Sequence, residues 1–211
     1  MKKKVELNLV EPIFSTYHFQ GSTCSIIGDN PSIRNWYLNE CVSIRCRRRF
    51  LFEHKSLDVC PTCTQLDANP FINRLEYSTR FVSEYVNKII KEMLDDGLYV
   101  YFHTVDDYYL DGKTWYNNRH FAHDGLICGY DDEDGTFTMY AYDINWIYRK
   151  FKTPQTSFYR GCLEMIRQGE YPGICGLSVK TDVVEFDPQK IRGNIIKYLN
   201  SSLEKYKPEV N

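Results

Sequence analysis

The sharpest pattern of apolar and polar positions lies between Ser78 and Asp96. Phe81, Tyr85, Ile89 and Met93 form one row at helical spacing, and Val82, Val86, Ile90 and Leu94 form a second row beside it. Two neighbouring rows make one apolar stripe, so the segment is predicted helical, with Gly97 as its left-handed stop. A helix is also predicted from Ser32 to Arg47. Asp29 or Asn30 stands as its cap, Pro31 suits its first turn, and Ile33, Trp36, Tyr37, Cys41 and Ile44 share a face. A short helix over Ser22 to Ile27 leads into it. Two more follow: Thr156 to Gln168, closed by Gly169, and a last one that starts at Asp187-Pro188 and runs towards Tyr206.

Elsewhere the period falls to two. Leu98 to Val105 alternates as a strand, and Gly173 to Lys180 reads as another. His123 to Tyr130 and Thr136 to Asp143 read as the arms of a β-hairpin around Asp131 to Gly135, where Asp134-Gly135 is a strong turn pair. Val5 to Phe19, with Pro12, is an irregular entry segment with room for a short strand. Arg45 to Asn69 and Asp106 to Arg119 lack a period and read as loops. Helices therefore crowd the first half and strands the second, which predicts an α+β fold. The expectation is one domain over residues 1–211, mainly helical over about 1–97 and sheet-rich over about 98–211.

Composition narrows the function classes. Hydrophobic residues at 43% and charged residues at 26% are ordinary for a folded domain. Twenty-six Lys+Arg against 28 Asp+Glu leave a net charge of -2, which argues against a nucleic-acid binder or an anionic-membrane binder. No apolar window is long enough to span a bilayer. The lysines of Met1 to Val10 have no apolar segment behind them, so no secretory signal is expected. A cytoplasmic location follows as the expectation, with the eight cysteines as thiols rather than disulfides.

Candidate chemistry concentrates in His120 to Glu133 and its continuation to Asp143. If the hairpin turns near Glu133, His123 and Asp143 are equidistant from the turn and face one another; a slip of one residue puts them on opposite faces. A carboxylate beside an imidazole fixes its tautomer and suits it to act as a general base. Cys24 is the best-placed thiol to serve it. It follows Gln20-Gly21-Ser22-Thr23 and precedes Ile26-Ile27, so a helix N-terminus there would favour the thiolate. Its own N–H and the Gln20 side chain would serve as oxyanion donors. The same residues also read as a buried structural cysteine, a strand-end histidine and a loop aspartate. An early cysteine followed by a later histidine and aspartate is the papain-like chain order.

The run His123-Asp-Gly-Leu-Ile-Cys-Gly-Tyr-Asp-Asp-Glu133, with Asp143 after it, resembles the histidine-bearing segment of the butirosin-biosynthesis-protein-H N-terminal family. That family is grouped with papain-like, bacteriocin-processing cysteine peptidases. Val105-Asp-Asp-Tyr-Tyr109 and Asn35-Trp36-Tyr37 are similar to segments of relatives found beside nonribosomal peptide synthetase genes. The resemblance implies a papain-like fold and acyl transfer through a cysteine thioester. The acyl group would move from the pantetheine arm of an acyl or peptidyl carrier domain to a small-molecule amine. Carried over, Cys24 is nucleophile, His123 base and Asp143 orienter, with Gln20 at the oxyanion and no cofactor.

Other motifs keep further readings open. Cys60-Pro-Thr-Cys63 with Cys41 and Cys46 makes four thiolates for a structural zinc. Arg45-Cys-Arg-Arg-Arg49 reads either as a dock for an acidic carrier or its phosphate, or as a solvated helix end. Asp131 to Gly135 lacks the spacing of a calcium loop, and His120 with His123 lacks a third ligand. Three functions remain in view: a cysteine acyltransferase, a catalytically inactive papain-like module that binds a carrier protein or partner enzyme, and a zinc-stapled interaction domain.

Overall fold

Alternation along three central strands decides which residues are shared between the two faces of a sheet. In a computed structural model, Tyr99–Asp106, Ala122–Asp131 and Thr136–Tyr142 lie side by side and antiparallel. The structure describes residues 2–15, 17–28, 30–40, 44–46, 59–61, 69–78, 83–170, 173–180 and 182–200.

In chain order the elements are β1 (Lys4–Glu6), α1 (His18–Ile27), α2 (Pro31–Glu40), β2 (Ile44–Cys46), β3 (Val59–Pro61), β4 (Ile72–Ser78), α3 (Val86–Asp95), β5 (Tyr99–Asp106), β6 (Ala122–Asp131), β7 (Thr136–Tyr142), β8 (Tyr148–Pro154), α4 (Gln155–Arg167), β9 (Gly173–Val179) and α5 (Pro188–Leu199). Single 3-10 turns precede α3 at Ser83–Tyr85 and follow β5 at Asp107–Tyr109. The chain divides into two compact units. The first combines residues 1–28 and 71–180, and the second combines 29–70 and 181–211. Each is thus assembled from two separated segments, with junctions at 28/29, 70/71 and 180/181.

The first unit is an antiparallel sheet in the order β4-β9-β5-β6-β7-β8, with β1 paired to the far end of β6. Successive side chains on a strand point to opposite faces. Val100, Phe102, Ile127, Phe137 and Met139 point to one face. There they meet Val86, Ile90 and Leu94 of α3 and Phe158 and Cys162 of α4 in one buried apolar cluster. Tyr101, Tyr140 and Tyr142 point to the other face, where α1 lies. α1 approaches closely because residue 21 is glycine: a Cβ there would stand 2.5 Å from the Tyr148 ring.

In the second unit, α2 and α5 are tied through Asn39. Its amide donates to Glu185 O at 2.8 Å, its Oδ1 accepts from Asp187 N at 2.9 Å, and its carbonyl accepts from Asn194 Nδ2 at 2.8 Å. Asp187 caps α5 by accepting from Gln189 N and Lys190 N, both at 3.0 Å, with Pro188 in the first turn, as its sequence predicts. β2 and β3 form a short antiparallel ribbon that sets Arg45 opposite Cys60 and Cys46 opposite Val59.

The α+β class and the antiparallel sheet are present. The separation into a helical and a stranded half is not, because β1 and β4 from the first half join the large sheet. The helix expected over Ser32 to Arg47 ends at Glu40, and Ile44–Cys46 is a strand. Its β-branched and thiol-bearing residues pair across a ribbon instead of continuing a turn. The helix expected from Ser78 is described from Val86, and Ser78 itself closes β4.

Phe158 is fully buried between Phe102 and Phe137, with ring centroids 5.3 and 5.5 Å away. Phe158→Ala should cost about 3–5 kcal/mol in urea unfolding. A loss below about 1 kcal/mol would contradict this placement of the core.

Candidate functional site

The side chain of α1 that meets His123 is His18. Their rings lie 4.2 Å apart, nearly perpendicular. His18 stands in the first turn of α1 and is buried. Both of its ring nitrogens have partners. The Tyr142 N–H donates to Nε2 at 3.0 Å, and Nδ1 lies 3.0 Å from Asp124 Oδ1. Because Nε2 accepts, Nδ1 carries the proton and donates it to Asp124. Tyr148 OH bridges the first turns, donating to His18 O at 3.2 Å and sharing a bond with Ser22 Oγ at 3.0 Å.

Asp124, on β6, accepts from Tyr101 OH through its other oxygen. Burial works against its charge, but the bonds from His18 and Tyr101 and the nearby His123 outweigh it, so its carboxyl stays below the usual value. Burial dominates at His18 and lowers its pKa, with Asp124 pulling the other way. The resting pair is therefore a neutral imidazole donating to a carboxylate.

His123 keeps about 29% of its side chain exposed. Its Nδ1 faces Asp107 Oδ2 at 3.4 Å and Lys113 Nζ at 3.4 Å, and its Nε2 lies 3.9 Å from Asp124 Oδ1. Lys113 and Asp107 are buried together 3.5 Å apart. Burial lowers the Lys113 pKa against the pull of Asp107 and Asp124. A second dyad sits close by: His120 Nδ1 lies 2.6 Å from buried Asp106 Oδ2 and stacks on Tyr108. The other Asp106 oxygen accepts from Tyr108 N and Phe121 N.

The expected triad is not assembled. Among the described residues, the polar and ring contacts of His123 are to His18, Phe121, Lys113, Asp107 and Asp124. Cys24 is buried on α1, six residues beyond His18, which is about 9 Å along the axis at 1.5 Å per residue. Gln20 is also buried, and its Oε1 has no hydrogen-bond partner among the described residues. The hairpin does turn where its sequence says, and Leu126 pairs with Tyr140 in the expected register. Yet β7 ends at Tyr142, and Asp143 folds into the next turn. Its Oδ1 accepts from Asn145 N at 2.8 Å and Ile147 N at 2.9 Å, and Arg149 lies 2.5 Å from Oδ2. The carboxylate that reaches His123 Nδ1 comes instead from Asp107. His18, Tyr101, Asp107, Lys113 and Asp124 were not among the expected site residues; the signals in the sequence were the adjacency of Asp124 to His123 and the Val105 to Tyr109 segment, which carries Asp107.

His18, His123 and Asp124 also cluster as metal ligands would. A metal on His18 Nδ1 would force the proton to Nε2, where it would meet the Tyr142 N–H donor to donor. That arrangement does not suit an ion. Cys41, Cys63 and Arg47 to Arg49 lie outside the described residues, and for Arg45, Cys46 and Cys60 only the backbone is described. Among known proteins, no family model and no curated relative matches the chain. No helix among the described residues is long and apolar enough to cross a membrane.

Because the His18 pKa lies below the ordinary 6.5, the unfolded chain takes up a proton that the folded one refuses. Stability should therefore fall as pH drops from about 7.5 to 5.5, and fall less in His18→Gln. Urea midpoints at the two pH values test this. Equal pH dependence in both proteins would contradict it.

Proposed function

We propose that this chain is a papain-like module of peptide or secondary-metabolite biosynthesis that binds a carrier protein or partner enzyme and forms no thioester of its own. The observation that carries the reading is the identity of the α1 side chain beside His123. It is His18, whose two nitrogens are committed to Tyr142 N–H and Asp124. A nucleophile must come within hydrogen-bond reach of its base, and the partners of His123 are carboxylates, an ammonium and rings. Asp143, the expected orienter, serves the β7–β8 turn. The assignment to peptide assembly rests on the resemblance of His123 to Glu133 and of Val105 to Tyr109.

The test is acyl loading. Incubated with a short acyl thioester of a pantetheine mimic, the protein should show no acyl adduct by intact mass. A carrier domain bearing phosphopantetheine should bind the parent and Cys24→Ala equally in calorimetry. An adduct mapping to Cys24 would overturn the reading and restore the acyltransferase. Absence of carrier binding would overturn the choice of partner.

A further inference from the structure

A second group of side chains lies on the same unit, on the adjacent strands β4, β9 and β5, of which β5 also serves the His18 cluster through Tyr101. Register sets Glu76 of β4 directly opposite Cys175 of β9, and Cys175 opposite Tyr101 of β5. His103 stands two residues further along β5, level with the start of β9. Directly opposite pairs on a sheet lie on the same face and within contact distance, so Glu76, Cys175 and His103 share one face.

Their donor atoms converge. His103 Nε2 is 3.6 Å from Cys175 Sγ and 3.5 Å from Glu76 Oε1. The nitrogen-to-carboxylate separation is long for a hydrogen bond between these groups. Around one tetrahedral zinc ion, with bonds of about 2.3 Å to sulfur and about 2.0–2.2 Å to nitrogen and oxygen, the edges come to about 3.4–3.6 Å. Both separations match those edges. All three donor atoms lie within 4.8 Å of one another.

Two neighbours are arranged as such a site requires. Arg74 Nε donates to Cys175 Sγ at 3.0 Å, and its Nη2 donates to Glu76 Oε2 at 2.5 Å. It thus holds both the Cys175 sulfur and one Glu76 oxygen, and leaves Oε1 turned to His103. Outer partners of this kind orient ligands and stabilise a thiolate. Gly173 supplies clearance: a Cβ there would stand 3.0 Å from His103 Cδ2 and 3.3 Å from Glu76 Oε1. Its backbone is ordinary for a strand, so the missing side chain matters for the space that it leaves.

We infer that Glu76, His103 and Cys175 form a binding site for one divalent cation of the zinc class, with Arg74 and Gly173 as positioning residues. Glu76 and His103 remain partly exposed, which leaves a fourth position for water or a ligand donor. Binding replaces the Cys175 S–H bond with a metal–sulfur bond and releases that proton to solvent. Affinity should therefore weaken as pH falls. The site shares no residue with the His18 cluster and does not depend on the proposed function.

The test uses the full chain, stripped of metal and titrated with Zn2+ in calorimetry and with Co2+ by absorbance. One equivalent should bind, and Co2+ should give a thiolate charge-transfer band that Cys175→Ser abolishes. Glu76→Gln and Gly173→Ala should weaken binding by about 10–100-fold while circular dichroism stays unchanged. The Cys41, Cys46, Cys60, Cys63→Ser variant separates any zinc at the CxxC motif: the Cys175-dependent band should survive in it. Absence of that band, or Zn2+ affinity untouched by both Glu76→Gln and Gly173→Ala, would overturn the site.

Discussion

Antiparallel alternation in β5, β6 and β7 is the constraint from which the rest of the first unit follows. Each strand must supply one apolar and one polar face, and a slip of one residue would exchange them. Phe102, Ile127 and Met139 go to the side covered by α3 and α4, where burial of apolar area drives folding. Tyr101, Asp124 and Tyr142 then go to the side of α1. There the buried polar groups have to satisfy one another, because an unpaired donor or acceptor away from water costs about 1–3 kcal/mol.

The His18 network is the outcome of that requirement. Tyr142 donates a backbone N–H that β7 does not use, and His18 Nε2 takes it. This choice of tautomer sends the Nδ1 proton to Asp124, whose remaining oxygen takes the Tyr101 hydroxyl. A histidine satisfied at both nitrogens is well suited to joining a helix to a sheet. It is poorly suited to attack an acyl group or to hold a metal. His123, more exposed and flanked by Asp107 and Asp124, is the group of the cluster that remains available to a partner.

Much of the fold was legible because local signals agreed with the final structure. The β6–β7 hairpin, α4, α5 with its Asp187-Pro188 start, and β9 all carry their period and their turn residues in the sequence. β4 and β8 were not legible. They are the edge strands of the sheet, and Arg74 and Glu76, or Arg149, Lys150 and Lys152, break the apolar alternation there. The site was half legible. His123 stands out beside Asp124, but Asp143 leaves the ladder one residue after β7 ends. Counting from a turn cannot foresee that a carboxylate will cap the next loop. Nor does the spacing of Glu76, His103 and Cys175 announce a cluster, since only the pairing β4-β9-β5 brings them together.

The central claim is that the residue of α1 facing His123 is a neutral histidine with its proton on Nδ1. Nitrogen NMR of the histidine-labelled protein reads this directly, with His18→Gln as the assignment control. The predicted result is an Nδ1–H imidazole for His18 that is neutral at neutral pH and titrates below the ordinary imidazole value of 6.5, because it is buried. A protonated His18 at neutral pH, or the Nε2–H tautomer, would contradict the account.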